Sequence, residues 1–139
     1  MKHYKVGYTA GVFDLFHVGH LNLLERAKAQ CDYLIVAVTT DELVSYKNKK
    51  AMIPYEDRAR IVAALKVVDQ VVPQVNMNKM EAWERYHFDA MFVGDDWKGT
   101  EKWQRYEEEF RTVGVDIVYF PYTKGISSTI IEGKLEENS

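Results

Sequence analysis

The run Tyr-Leu-Ile-Val-Ala-Val-Thr-Thr at 33–40 constrains the fold more than any other stretch of this chain. A strand with one wet face alternates apolar and polar residues. A nearly continuous apolar run instead demands cover on both faces, the environment of a parallel sheet with helices on each side. Parallel neighbours also need long crossover connections, and the periodicity supplies them. Strand patterns at 4–11, 33–40, 70–75, 89–93 and 116–122 alternate with helical patterns at 20–30, 55–66, 79–86, 100–112 and 127–136. The order βαβαβαβαβα predicts an α/β fold, a Rossmann-like three-layer sandwich with a mostly parallel five-stranded sheet. A length of 139 residues, 47% of them hydrophobic, suits a single domain spanning 1–139, with 136–139 expected as a frayed tail.

Composition removes several classes of function. Cys31 is the sole cysteine, so neither an intrachain disulfide nor a zinc site built from several cysteines can form. No stretch approaches the ~18 apolar residues of a membrane span, and MKHYKVGYTAG lacks the apolar core of a secretion signal. The expectation is a soluble, unexported protein of the cytoplasm with no membrane partner. A net charge of −3 argues against sequence-independent binding of nucleic acid. Between Lys47 and Lys66, however, six basic residues stand against two acidic ones, enough to hold a small polyanion.

In open parallel sheets ligands bind beyond the carboxyl ends of the strands, so the strand-to-helix turns are the informative positions. After the first strand comes GVFDLFHVGH, residues 11–20, leading into an amphipathic helix expected to begin near Gly19 or His20. His17 and His20 could hold a metal, pack in the core or grip an anion. A metal needs further ligands, and His3, His87, Asp14 and Cys31 stand at no recognisable spacing. The anion reading uses everything present: orphan amides of a helix start, the positive end of its dipole, two imidazole donors able to carry charge, and Gly19 for close backbone approach.

The other turns are consistent with that reading. GISST, residues 125–129, puts Ser127, Ser128 and Thr129 at the cap and first turn of the last helix, either as a plain cap or as a second phosphate-facing helix start. Lys47, Lys49 and Lys50 form either a solvated loop or an electrostatic clamp. Arg58 falls in the first turn of a helix that Pro54 helps to start. Arginine is disfavoured at that positive end, which calls for an anionic ligand or an acidic neighbour. Gly94, Asp95, Asp96 and Trp97 make either a turn with a core aromatic or a base-reading corner. Asp14, buried without a partner, would be costly, so a lysine, a hydroxyl or substrate should meet it.

Five motifs in register, His-Val-Gly-His at 17–20, Lys-Asn-Lys at 47–49, Pro-Tyr-Glu-Asp-Arg at 54–58, Gly-Asp-Asp-Trp at 94–97 and Gly-Ile-Ser-Ser-Thr at 125–129, resemble the cytidylyltransferase family of the H-x-G-H nucleotidyltransferase superfamily. The resemblance runs along nearly the whole chain and is strongest to members that act on glycerol 3-phosphate. It implies transfer of CMP from CTP to that acceptor, and phosphoryl-transfer chemistry in general adds Mg²⁺ with CTP, with few dedicated protein ligands. His17, His20 and Lys49 would then be catalytic. Gly11, Val12, Phe13, Gly19, Gly94, Asp95, Asp96, Trp97, Gly125, Ile126, Ser127, Ser128 and Thr129 would bind the nucleotide. Asp14, Lys47 and Arg58 would face the acceptor, with Asp14 meeting Lys47, and a homodimer is implied. The chain departs from the family at 122–127, where Tyr-Thr-Lys-Gly-Ile-Ser replaces the usual Arg-Thr-Glu-Gly-Ile-Ser.

The residues alone leave open a different alcohol phosphate, ATP in place of CTP, or a nucleotide-binding module without catalysis. A dinucleotide-dependent oxidoreductase and a P-loop NTPase lack their glycine-rich signatures here.

Overall fold

The structure, a computed structural model, describes residues 3–46, 50–95 and 98–121. Strand β1 (Tyr4–Gly11) pairs in parallel with β2 (Cys31–Thr39) on one side and with β4 (Ala90–Gly94) on the other. β3 (Gln70–Gln74) adds outside β2, and β5 (Asp116–Phe120) adds outside β4, again in parallel. The sheet order is therefore β3-β2-β1-β4-β5. The crossovers are α1 (Val18–Ala29), then α2 (Asp41–Tyr46) with α3 (Tyr55–Ala63), then α4 (Lys79–Tyr86) and α5 (Glu101–Arg111).

The layers explain the continuous apolar run. Leu34, Val36 and Val38 of β2 point into one core with Leu24 and Ala27 of α1 and Val62 of α3. Ile35 and Ala37 point the other way, into a core with Trp103 and Phe110 of α5, against which Met80 and Trp83 of α4 also pack. Burying each large apolar side chain contributes ~1.5–3 kcal/mol, so neither face of β2 could be polar without losing a layer. Helix ends are closed locally: the Asn78 side chain accepts from the Glu81 N–H at 3.1 Å, and Thr100 from the Trp103 N–H at 3.4 Å.

All five expected strands are present, and the sheet is entirely parallel among the described residues. The differences lie at the ends. β2 starts at Cys31 because that side chain is itself buried core. α1 starts at Val18, earlier than its apolar spacing suggests, because His17 caps it. α3 stops at Ala63, short of 66. Helix α2 was not expected, since six residues are too few to show a period. The last helical pattern, 127–136, and the tail 136–139 lie outside the described residues. No helix among those described is long and apolar enough to cross a membrane.

Gly7, between β2 and β4, is where the sheet tolerates least change. A Cβ there would lie 2.5 Å from Phe92 Cε2 and 2.8 Å from Cys31 Sγ. Gly7→Ala should therefore destabilise the protein by ~1–3 kcal/mol, the usual cost of overfilling a packed core. Urea unfolding measures this, and a midpoint equal to the parent's would mean that Phe92 can step aside freely.

Candidate active site

Strand order reverses between β1 and β4: the chain builds outward from β1 through β2 to β3, then returns to add β4 and β5 on the other side. That reversal leaves a crevice at the carboxyl ends of β1 and β4. Gly11 ends β1 and Val12, Phe13, Asp14, His17, Gly19 and His20 follow it, while Gly94 ends β4 and Asp95 follows, so these expected site residues share one sheet edge. Asp95 is exposed, and its carbonyl accepts from the Lys98 N–H at 3.1 Å in the turn that follows.

The turn after β1 is built under strain. Phe13 and Leu15 both have positive φ, 54° and 49°, a region that side chains other than glycine rarely enter. Each such residue costs on the order of 1–3 kcal/mol, and such strain collects at functional sites. Gly11 lets the turn fold back tightly, since a Cβ there would meet the Phe13 ring at 3.1 Å. The folded-back rings form a slot for His20: Phe13 lies edge-on at 5.4 Å between centroids and Phe16 at 5.2 Å.

His17 is the N-cap of α1, with extended backbone at φ −139° and ψ 178°. Its Nδ1 accepts from the Gly19 N–H at 3.0 Å, and the Nδ1 of His20 accepts from the His17 N–H at 3.3 Å. The two histidines thus do for each other what Ser and Glu do in a capping box. Their rings stack 3.9 Å apart at 22°. This corrects part of the sequence-based expectation, because the Gly19 amide is not an orphan waiting for a ligand but is taken by His17.

The reciprocal cap also sets the tautomer. An Nδ1 that accepts carries no hydrogen, so each neutral ring has its proton on Nε2. Burial lowers the pKa of His17. Burial together with the neighbouring His17 lowers that of His20 to about 4, against the opposing pull of Asp14. The pair, read from the sequence as donors able to carry charge, is therefore neutral near pH 7. The Nε2 of His17 is buried and has no partner among the described residues. A buried donor in that state is an unmet demand for an acceptor.

Asp14 is 4% exposed, and two of its partners are main-chain groups, a kind the sequence did not suggest. Its two carboxylate oxygens accept the backbone N–H groups of Met52, at 2.7 Å, and Ile53, at 2.9 Å. Arg58 is 1% exposed. Of the two partners its position called for, the structure supplies the acidic neighbour, Asp41, at 2.6 Å. Asp41 went unnoticed in the sequence. Its only signal was a carboxylate right after a strand, 17 positions from the arginine it meets. Lys47, Lys49, Asp96, Trp97, Gly125, Ile126, Ser127, Ser128 and Thr129 lie outside the described residues. Among those described, no three His, Cys, Asp or Glu side chains gather as a metal-ligand set.

Comparison with known proteins gives the same picture. Residues 8–134 match the family model described as cytidylyltransferase-like. The glycerol-3-phosphate cytidylyltransferase of Bacillus subtilis (strain 168) is 41% identical over 128 residues, covering 91% of this chain and 94% of the relative. The enzyme of the same name from Staphylococcus aureus (strain NCTC 8325 / PS 47) is 37% identical over 128 residues, covering 91% and 92%. A crystal structure of the lipopolysaccharide core biosynthesis protein from Thermoplasma volcanium GSS1 superposes with a TM-score of 0.73 at 24% identity, covering 88% of this chain and 99% of that one, a likeness of fold. A match over nearly the whole chain, together with a histidine pair set at the reversal of a five-stranded parallel sheet, places this protein in the cytidylyltransferase-like family.

Proposed function

We propose that the protein transfers CMP from CTP to glycerol 3-phosphate, releasing pyrophosphate and forming CDP-glycerol. The observation that carries this reading is the Nε2 of His17, buried and without a partner among the described residues, in a ring stacked on His20 just beyond the carboxyl end of β1. A phosphoryl oxygen is the acceptor that such a donor lacks. The names and coverage of the relatives support the choice of substrates.

In this reading an acceptor phosphate oxygen attacks the α-phosphorus in line, and the electron pair of the α–β bridge leaves with pyrophosphate. The attacking oxygen is already anionic, so the protein needs neither a nucleophile nor a general base. Its task is to hold the reactants and stabilise charge as it moves onto the leaving group. His17 and His20 donate through Nε2–H to α- and β-phosphoryl oxygens. Neutral donors keep the site free of a second buried charge. Gly11, Val12, Phe13 and Gly19 flank the phosphates, while Gly94, Asp95, Asp96 and Trp97 meet the base. Lys49 and residues 125–129 serve the triphosphate, and Asp14 and Lys47 the acceptor, as the family resemblance implies. Mg²⁺ comes with CTP as part of the substrate, held mainly by phosphate oxygens and water. The same resemblance supports a cytoplasmic homodimer.

Pyrophosphate release should occur with CTP and glycerol 3-phosphate and fall away when ATP, choline phosphate or ethanolamine phosphate replaces its counterpart. Release with none of these combinations would remove the reading. His20→Ala should lower kcat on the order of 10²–10³-fold, with little change in the KM for CTP.

The pH dependence follows from burial of the pair. Burial disfavours charge on both rings, and at His20 the neighbouring His17 adds to this, so the unfolded chain binds protons more readily than the folded one. For His20 that difference spans pH from about 6.5 down to about 4. Stability is intact above this window and is lost as pH falls through it. Thermal melts should show a decline in Tm across it. His20→Asn, which can accept from the His17 N–H without titrating, should flatten part of the slope, and an unchanged slope would show that His20 does not titrate there.

A further inference from the structure

Arg58 is the one fully buried cation among the described residues, and its donors point to three separate segments. Nε donates to the Ile53 carbonyl at 2.8 Å. Nη1 donates to the carbonyls of Val12, at 2.8 Å, and Thr39, at 2.7 Å. Nη2 donates to Asp41 Oδ1, while Asp41 Oδ2 accepts the Tyr55 N–H at 3.0 Å. A guanidinium has five N–H groups, and four are accounted for by the protein itself. A phosphate could take a bidentate grip here only by stripping buried carbonyls of their donor.

The connections close into a ring. The Ile53 carbonyl is held by Arg58 and the Ile53 N–H by Asp14. Arg58 also holds the carbonyl of Val12, two residues before Asp14. The turn 12–14 is thereby stitched on both sides to the segment before α3, with Phe13 strained in between and its ring against His20. We propose that Arg58, braced by Asp41, is a positioning residue that holds this turn, and through Phe13 the His20 ring, in working geometry, rather than a ligand of the acceptor phosphate. The kinetic part of this inference rests on the transferase reading above.

Arg58→Lys keeps the charge but loses the planar fork. Asp41→Asn changes a half-exposed side chain that the fold can spare, and so covers the case in which Arg58 variants fail to fold. Both are made in the full chain. Steady-state pyrophosphate release should show kcat lowered about tenfold or more in each variant, with the KM for glycerol 3-phosphate within about twofold of the parent. A KM for glycerol 3-phosphate raised about tenfold at preserved kcat in Arg58→Lys, with Asp41→Asn behaving as the parent, would overturn the proposal and make Arg58 a direct ligand.

The second readout needs no turnover. With ¹⁵N-labelled histidine, the His20 titration should move up towards the ordinary value in both variants as the phenylalanine slot loosens. A His20 titration unchanged in folded Asp41→Asn would overturn the positioning role. A parent that releases no pyrophosphate would sink the transferase reading alone, leaving the histidine titration to decide on Arg58.

Discussion

Parallel pairing on both sides of β1 is the constraint from which the site follows. A strand paired in parallel on both sides cannot end in a hairpin with either neighbour, so the chain must climb out of the sheet at the carboxyl end of β1. Its neighbours on the two sides, β2 and β4, carry their crossovers on opposite faces of the sheet. The turn after β1 therefore lies where the two sets of crossovers diverge. The strained Phe13 and Leu15, the tight Gly11 and the start of α1 all lie in that turn.

The histidine pair shows one set of atoms serving structure and chemistry together. A serine cap would satisfy the same amide through a single oxygen and have nothing left over. An imidazole has two nitrogens on opposite edges of a rigid ring, so satisfying the helix with Nδ1 directs Nε2–H outward. The helix start thus orients its own donors, and burial, for His20 against two phenylalanines, keeps them uncharged.

The fold was legible because its signals are local or periodic. β2 announces two-sided burial through composition, and α4 and α5 announce themselves through spacing and caps at Asn78 and Thr100. The histidines were legible as a pair because three residues within one helical turn must be neighbours. Their mutual capping was not, since sequence patterns for caps are built from Ser, Thr, Asp and Asn. The main-chain partners of Asp14 and Arg58 were hidden for another reason: every residue carries such groups, and only the fold, including the register of β1 with β2 that sets Val12 beside Thr39, brings these ones close. Burial of both residues could have been suspected, but the identity of the groups that meet them could not.

The left-handed backbone at Phe13 and Leu15 has a consequence for how this family can drift. Glycine at 13 would relieve strain of about 1–3 kcal/mol but forfeit about 3–5 kcal/mol of buried aromatic packing, so selection for robustness alone would retain the phenylalanine. The benzyl group at 13 that walls in an imidazole would go with the change. The ring thus holds in place the strained backbone that carries it, and both the packing of the core and the setting of the imidazole depend on one side chain.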